Sequence, residues 1–237
     1  MPEGPFGVPR LTALGPFTKL TAEELAIDTT DGRHLGRTSK RNYDNVPDVV
    51  KDNNRFGEYV ENNFTEEIRD VYDTAKREHV EVSIVLCRDS TETGGPRIFT
   101  AGKNTGSSNM VEPPIASCAP EGLPIGSIHN HLADDGQDPP EQFDQVKKHH
   151  PSHGDLTSTL IEPPAGDSGK YNFTVAIKII IGVNGESDRM VSVLSTYDDR
   201  VRQLVYIYSH PKLKVDGKAK VYNELIVNEL YEFKLGK

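Results

Sequence analysis

Cysteine is scarce. Two of them in 237 residues exclude a disulfide-stapled scaffold and any four-cysteine zinc site. No apolar run approaches the roughly 20 residues that a helical membrane span needs; the longest, such as Ile179-Ile180-Ile181, are strand-sized. Met1-Pro2-Glu3-Gly4-Pro5 carries no basic cluster with an apolar stretch behind it, so no secretory leader is expected and a cytoplasmic location is. Positive charge is in deficit, with 27 Lys and Arg against 36 Asp and Glu for a net −9. That balance repels nucleic acid and anionic membrane. Lys and Arg gather only weakly, at 37–41 and 212–220.

What is present suffices for a core. The apolar fraction is 35% before 20 glycines are added, slightly under the share of an ordinary globular chain. Residues 1–63 stand apart, rich in Pro, Gly, Thr, Asp and Asn, with turn signals such as Gly15-Pro16 and Thr30-Asp31-Gly32. They predict an extended arm or linker of no assigned role. Regular patterning starts at Thr65, an N-cap followed by Glu66 and Glu67. Ile68, Val71, Tyr72 and Ala75 then give a helix over 66–78. Val80 to Cys87 is a β-branched run and predicts a strand. Further strands are expected at 97–101, 125–132, 171–183 and 190–197, the last two joined by the hairpin signal Asn184-Gly185. Helices are expected near 152–161, 198–208 and 219–233, and 133–151, with Pro139-Pro140, as a polar insertion. The order predicts an α/β (α+β) fold with one mixed β-sheet flanked by helices. The domain proper spans 64–200 and a helical extension 201–237.

The most informative segment is Gly126-Ser127-Ile128-His129-Asn130-His131. Residues i and i+2 of a strand share a face, so His129 and His131 present two imidazoles together, and Asn130 points the other way. Such a pair suits two ligands of one zinc ion. Downstream, Pro151-Ser152-His153-Gly154-Asp155 places a carboxylate where a third ligand would come from. The same Ser-x-x-Asp is also close to a capping box at a helix start. Two imidazoles and one carboxylate leave a fourth position open, the layout of a catalytic zinc site; iron or manganese also fits such ligands. Glu81, on a mostly apolar strand, is a candidate general base, since burial raises a carboxyl pKa toward neutrality. His149, His150 and His153 are expected to be a solvated surface cluster, Cys87 a small core residue, and Cys118 a loop residue with no activating context.

A glutamate opening a strand after a helix, then strand-borne His-x-His, then Ser-x-x-Asp opening a helix, resembles the JAMM (MPN-type) metalloprotease superfamily. The local text is most similar to its RadC-like branch: His129-Asn130-His131 matches His-Asn-His, and Pro151-Ser152 with Asp155 matches Pro-Ser-x-x-Asp. The chain departs from the pattern in having Leu132 where proline is usual and about twenty residues, 132–151, before the serine. The resemblance spans roughly 64–197 and implies a cytidine-deaminase-like architecture. It implies that His129, His131 and Asp155 bind Zn2+, that Glu81 is base and then proton donor, and that Ser152 donates to the oxyanion. The implied reaction is attack of zinc-bound water on an amide or isopeptide carbonyl of a protein or peptide, such as a ubiquitin-like conjugate. The alternatives are a RadC-like role in DNA-associated metabolism and a non-catalytic binding module of the same fold.

Overall fold

The computed structural model describes residues 46–89, 97–132, 147–159, 176–210 and 213–236. Predicted features at 1–45, the Pro139-Pro140 part of the insertion, residues 160–161 and the start of the 171–183 strand lie outside them.

Among the described residues, the chain before Thr65 is not simply extended. A short 3-10 turn at Asp48–Lys51 leads into helix α1, Asn53–Asn63. Asp52 caps α1 by accepting from the Arg55 N–H. Val50, Phe56 and Val60 on this segment are fully buried. The apolar positions are spaced as a helix stripe, but Asn, Glu and Gly between them dilute the signal. Helix α2, Thr65–Glu78, follows after a break at Phe64 and ends on His79 in the left-handed conformation. Strands β1 (Val82–Asp89), β2 (Ile98–Thr105) and β3 (Gly122–Leu132) come next. Then follow helix α3 (His153–Thr159) and strands β4 (Ile177–Val183) and β5 (Met190–Ser195).

Helix α4, Asp199–Ser209, is capped by Asp198. Helix α5, Val215–Val221, runs through a π turn and a 3-10 turn into strand β6, Tyr231–Lys234. The predicted helix over 219–233 therefore stops short. Phe233, the last residue of that expected helix, lies on β6. Tyr231-Glu232-Phe233-Lys234 alternates apolar and charged, which is strand patterning once the preceding turn ends the helix.

The six strands form one mixed sheet in the order β2-β1-β3-β4-β5-β6. Only β3 and β4 are parallel; the other neighbours are antiparallel. This is the expected α+β class. Helices α1 and α2 cover one face, packing on Ile84, Leu86, Ile128, Ile179, Ile181, Val191 and Val193. On the other face, Leu194 and α3 residue Leu156 pack with α4 and α5. Strand β4, buried on both sides, reads as near-continuous apolar text for that reason, interrupted by Lys178.

Buried Asn53 ties α1 to β5, its Oδ1 accepting from the Ser195 N–H at 2.8 Å and its amide donating to the Glu229 carbonyl at 2.6 Å. Gly57 is required where α1 crosses β6, since a Cβ there would stand 2.0 Å from the Tyr231 ring.

Cys87 and Cys118 form a disulfide between β1 and the 3-10 turn Ile115–Cys118. Cys87 is buried as expected, but bonded, and Cys118 is buried rather than a free loop thiol. Disulfides mark oxidising compartments, which sets this bond against the cytoplasmic expectation. Among the described residues, no helix is long and apolar enough to cross a membrane.

The β4–β5 hairpin shows how a turn carries stability. Asn184 and Gly185 both take positive φ, as the Asn-Gly signal predicts, but the connection extends to Arg189, itself at positive φ. Asp188 Oδ1 accepts from the Tyr72 hydroxyl at 2.8 Å and from the Asn184 N–H at 3.0 Å, with Lys76 Nζ at 3.7 Å. Partial burial raises its pKa, but the Tyr72 hydroxyl, the Asn184 N–H and Lys76 together hold it below the ordinary value. A depressed carboxyl pKa stabilises the fold above the unfolded-state value and loses that effect as pH falls through the folded one. Asp188→Asn is expected to cost about 1 kcal/mol at pH 7, discounted for its exposure. The gap between wild type and variant should narrow toward pH 3. Urea midpoints at the two pH values check both statements.

Candidate metal centre

The second face of the sheet carries one row of directly paired residues. Ser83 on β1 pairs with His129 on β3, His129 with Ile180 on β4, Ile180 with Ser192 on β5, and Ser192 with Glu232 on β6. Paired residues share a face, so this row runs from the His129 end to the Glu232 end across the sheet. Segment 147–152 lies over its middle, where the Ser192 hydroxyl donates to the His149 carbonyl.

At one end, His129, His131 and Asp155 converge. The two Nε2 atoms stand 3.2 Å apart. Asp155 Oδ1 is 3.1 Å from His129 Nε2, and Oδ2 is 3.2 Å from His131 Nε2. Ligands held about 2.0–2.1 Å from a tetrahedral ion stand roughly 3.3 Å from one another. The two imidazole nitrogens stand at that separation, each faces one oxygen of the Asp155 carboxylate at a similar distance, and the donor set fits zinc. His131 Nδ1 lies 3.0 Å from the Lys148 carbonyl, so Nδ1 carries the proton and Nε2 keeps its lone pair for a cation. This is how ligating histidines are ordinarily held.

Asp155 serves twice. Its Oδ2 accepts from the Ser152 N–H at 2.8 Å and hydroxyl at 2.7 Å, while its own N–H donates to Ser152 Oγ at 3.1 Å. The capping box is present, and the same carboxylate faces the imidazoles. The two readings of Ser-x-x-Asp, cap and candidate ligand, are compatible in one geometry. The Pro151 carbonyl, just before the cap, accepts from the Tyr222 hydroxyl at 2.7 Å, so the π turn after α5 braces the start of α3.

Glu81 sits immediately before β1 rather than within it, and only 6% of it is exposed. Its backbone is fixed on both sides: its N–H donates to the Ser107 carbonyl at 2.7 Å, and its carbonyl accepts from Gly106 at 2.8 Å. Asn130 holds the segment from below. Its Oδ1 accepts from the Val82 N–H at 2.7 Å and its amide donates to the Val80 carbonyl at 3.4 Å. The residue between the two histidines thus secures the strand entry that bears the glutamate.

The electrostatics divide the two imidazoles. Burial pushes His129 down, and that outweighs the pull of Asp155, with Lys178 acting in the same downward sense. Burial also pushes His131 down, but Asp155, the Glu81 charge and the Lys148 carbonyl raise it above the ordinary value. Burial raises Asp155, yet its contacts with His129 and His131 hold it well below the carboxylate range. Lys178 Nζ lies 3.6 Å from Asp155 Oδ1, and burial lowers its pKa. Ser83 Oγ, opposite His129, is buried without a hydrogen-bond partner among the described residues.

Two residues of this surface escape sequence reasoning. Lys178 is a single cation in an otherwise apolar strand, and that oddity is the signal that could have found it. Glu232 has none, because its segment reads as helix. Nor are His149 and His150 a solvated cluster; they are 1% and 2% exposed. His149 Nε2 lies 2.5 Å and His150 Nε2 2.9 Å from Glu232 Oε1. Burial pushes both below the ordinary imidazole value, His150 to about 4, and their hydrogen bonds hold Glu232 low. The surface reading failed because the segment crosses β5 instead of leaving the sheet. His153 is exposed, with Nδ1 2.9 Å from the Tyr208 hydroxyl.

No family model, curated protein or solved structure matches the chain.

Proposed function

We propose that the chain is a zinc-dependent metallopeptidase or isopeptidase of JAMM (MPN) type, hydrolysing an amide or isopeptide bond in a protein or peptide. One observation carries the reading: His129 Nε2 and His131 Nε2 stand 3.2 Å apart, buried, each 3.1–3.2 Å from one oxygen of the Asp155 carboxylate, and the Glu81 charge acts on His131. A zinc ion bound there supplies Lewis acidity toward a carbonyl oxygen and makes water acidic enough to react near neutral pH. Glu81 takes the proton from the attacking water and returns it to the leaving amine. Ser152 turns its hydroxyl to the developing oxyanion, and its N–H alone then keeps hold of Asp155. Lys148 and Asn130 keep the ligand and the base in place.

A RadC-like role on DNA has weaker support, because the net charge of −9 opposes the counterion-releasing contacts on which DNA affinity rests. A binding module without turnover has no need of a buried glutamate beside a ligand triangle.

Chelated protein, given back zinc and offered linear peptides and isopeptide-linked conjugates, tests the proposal. Cleavage that appears with zinc and disappears with chelator supports it. Full zinc occupancy with no cleavage of any substrate would transfer the reading to the binding module.

A further inference from the structure

The far end of the sheet-face row holds a second group of ligand-type atoms. His149, His150 and Glu232 bring two imidazole nitrogens and a carboxylate oxygen within 4.8 Å of one another. The two histidines are almost wholly buried, whereas 31% of the Glu232 side chain is exposed. The group is three strands from the first triangle, since His129 lies on β3 and Glu232 on β6. At about 4.8 Å per strand the backbones are roughly 14 Å apart, too far for one ion to serve both.

We propose that His149, His150 and Glu232 form a second divalent-cation site, structural in role, which fastens segment 147–152 to β6.

Three features of the geometry support it. First, one of the two histidines comes ready oriented. His149 Nδ1 lies 3.0 Å from the Ser187 hydroxyl, and the Ser192 hydroxyl holds the His149 carbonyl. For His150 it is the backbone that is held, its main-chain N–H donating to the Lys147 carbonyl at 2.8 Å, and its ring Nδ1 is buried with no hydrogen-bond partner among the described residues. A preset ring with its other nitrogen held, as in His149, is the usual state of a ligating histidine.

Second, the donor set has two nitrogens and one oxygen with a solvent-facing side, which suits zinc or a neighbouring first-row divalent ion completed by water. The 2.5 Å and 2.9 Å separations are shorter than the roughly 3.3 Å between ligands of a tetrahedral ion. Glu232 is the partly exposed partner, and drawing it back by less than about 1 Å opens the space. Third, the segment so fastened bears parts of the first site: Lys148 carries the carbonyl that orients His131, and Ser152 caps α3. An ion at the far end limits how far that segment can lift from the sheet.

Zinc stoichiometry after equilibrium dialysis, read by elemental mass spectrometry, tests the site independently of any activity. The chains compared are wild type, Glu232→Gln, His129→Ala and the double variant. Glu232→Gln keeps an oxygen for the two imidazoles, and its side chain is exposed enough for the fold to persist, with circular dichroism as the check. The expected result is two ions in wild type, one in each single variant and none in the double. Zinc should also raise the melting temperature of His129→Ala, and this shift should vanish in the double variant.

A wild type that saturates at one ion, lost with His129→Ala and kept with Glu232→Gln, overturns the second site and leaves a hydrogen-bonded clamp. Two ions in both wild type and Glu232→Gln also overturn it, by placing the second ion elsewhere. One ion lost only with Glu232→Gln sustains the second site and removes the first.

Discussion

Asp155→Ala is expected to empty the first triangle of metal and to destabilise the fold by about 3 kcal/mol or more. The two effects have different origins. Metal is lost because two neutral imidazoles remain, without the anionic ligand that completes the tetrahedral face. Stability is lost because Asp155 is also the partner of two protein groups. Ser152 loses a reciprocal cap, worth about 1 kcal/mol. Lys178, 93% removed from solvent and 3.6 Å from Asp155 Oδ1, is left as a buried cation without its carboxylate, and a broken buried pair is costly.

Adding Lys178→Met separates the effects. The double variant should regain much of the stability and still hold no metal at this triangle. Asp155→Asn should keep most of the cap, since an amide oxygen can accept from Ser152, while weakening the metal. Metal content beside urea midpoints reads all three. Undiminished zinc at the triangle in the folded double variant would take Asp155 out of the ligand set.

The parts of the molecule that local pattern determines were readable in the sequence. Helix α2, helix α4 and the apolar strands β1 and β4 follow from periodicity, although the expected Thr65 cap of α2 does not form: its hydroxyl donates back to the Glu61 carbonyl instead. The ligand triangle was readable for a similar reason. His129 and His131 need only the two-residue period of a strand, and Asp155 needs only the first turn of a helix. Their convergence is then set by the parallel pairing of β3 and β4, with α3 in the connection between them. The JAMM-like assignment of that arrangement remains the proposal made above.

What the sequence concealed depends on long-range pairing. Glu232 belongs to the site's face only because β6 pairs with β5, and β6 was hidden by helix-like text that a π turn and a 3-10 turn bring to an end. His149 and His150 look solvated because polar residues surround them in sequence. Their burial comes from Ser192 and Glu232, more than forty positions away. Helix α1 was missed for the opposite reason. Its apolar stripe is real, but Asn and Gly lower its local propensity, and contacts from Asn53 to Ser195 and Glu229 compensate. The disulfide likewise joins residues whose spacing alone says nothing of their proximity.

Glu81→Gln is expected to retain zinc at the triangle and to lower turnover of any cleaved substrate by about 10²–10⁴-fold. Glutamine preserves the size of the side chain and removes its ability to carry a proton. Little should change in the fold, because the Glu81 backbone is held by Ser107 and Gly106 and the flanking residues by Asn130. Metal should persist because Glu81 is not one of the three converging ligands; its charge acts on His131 from outside the triangle. That charge raises His131, so the variant should lower the pKa of this imidazole, and proton competition for the metal should shift toward lower pH. The loss should appear in kcat with KM nearly constant, since a proton carrier acts in the transition state and not in substrate binding. Steady-state kinetics with zinc content measured on the same samples decide the matter. Full activity in a zinc-loaded Glu81→Gln chain would place the base on another acid, with Glu78 at the end of α2 the next to examine.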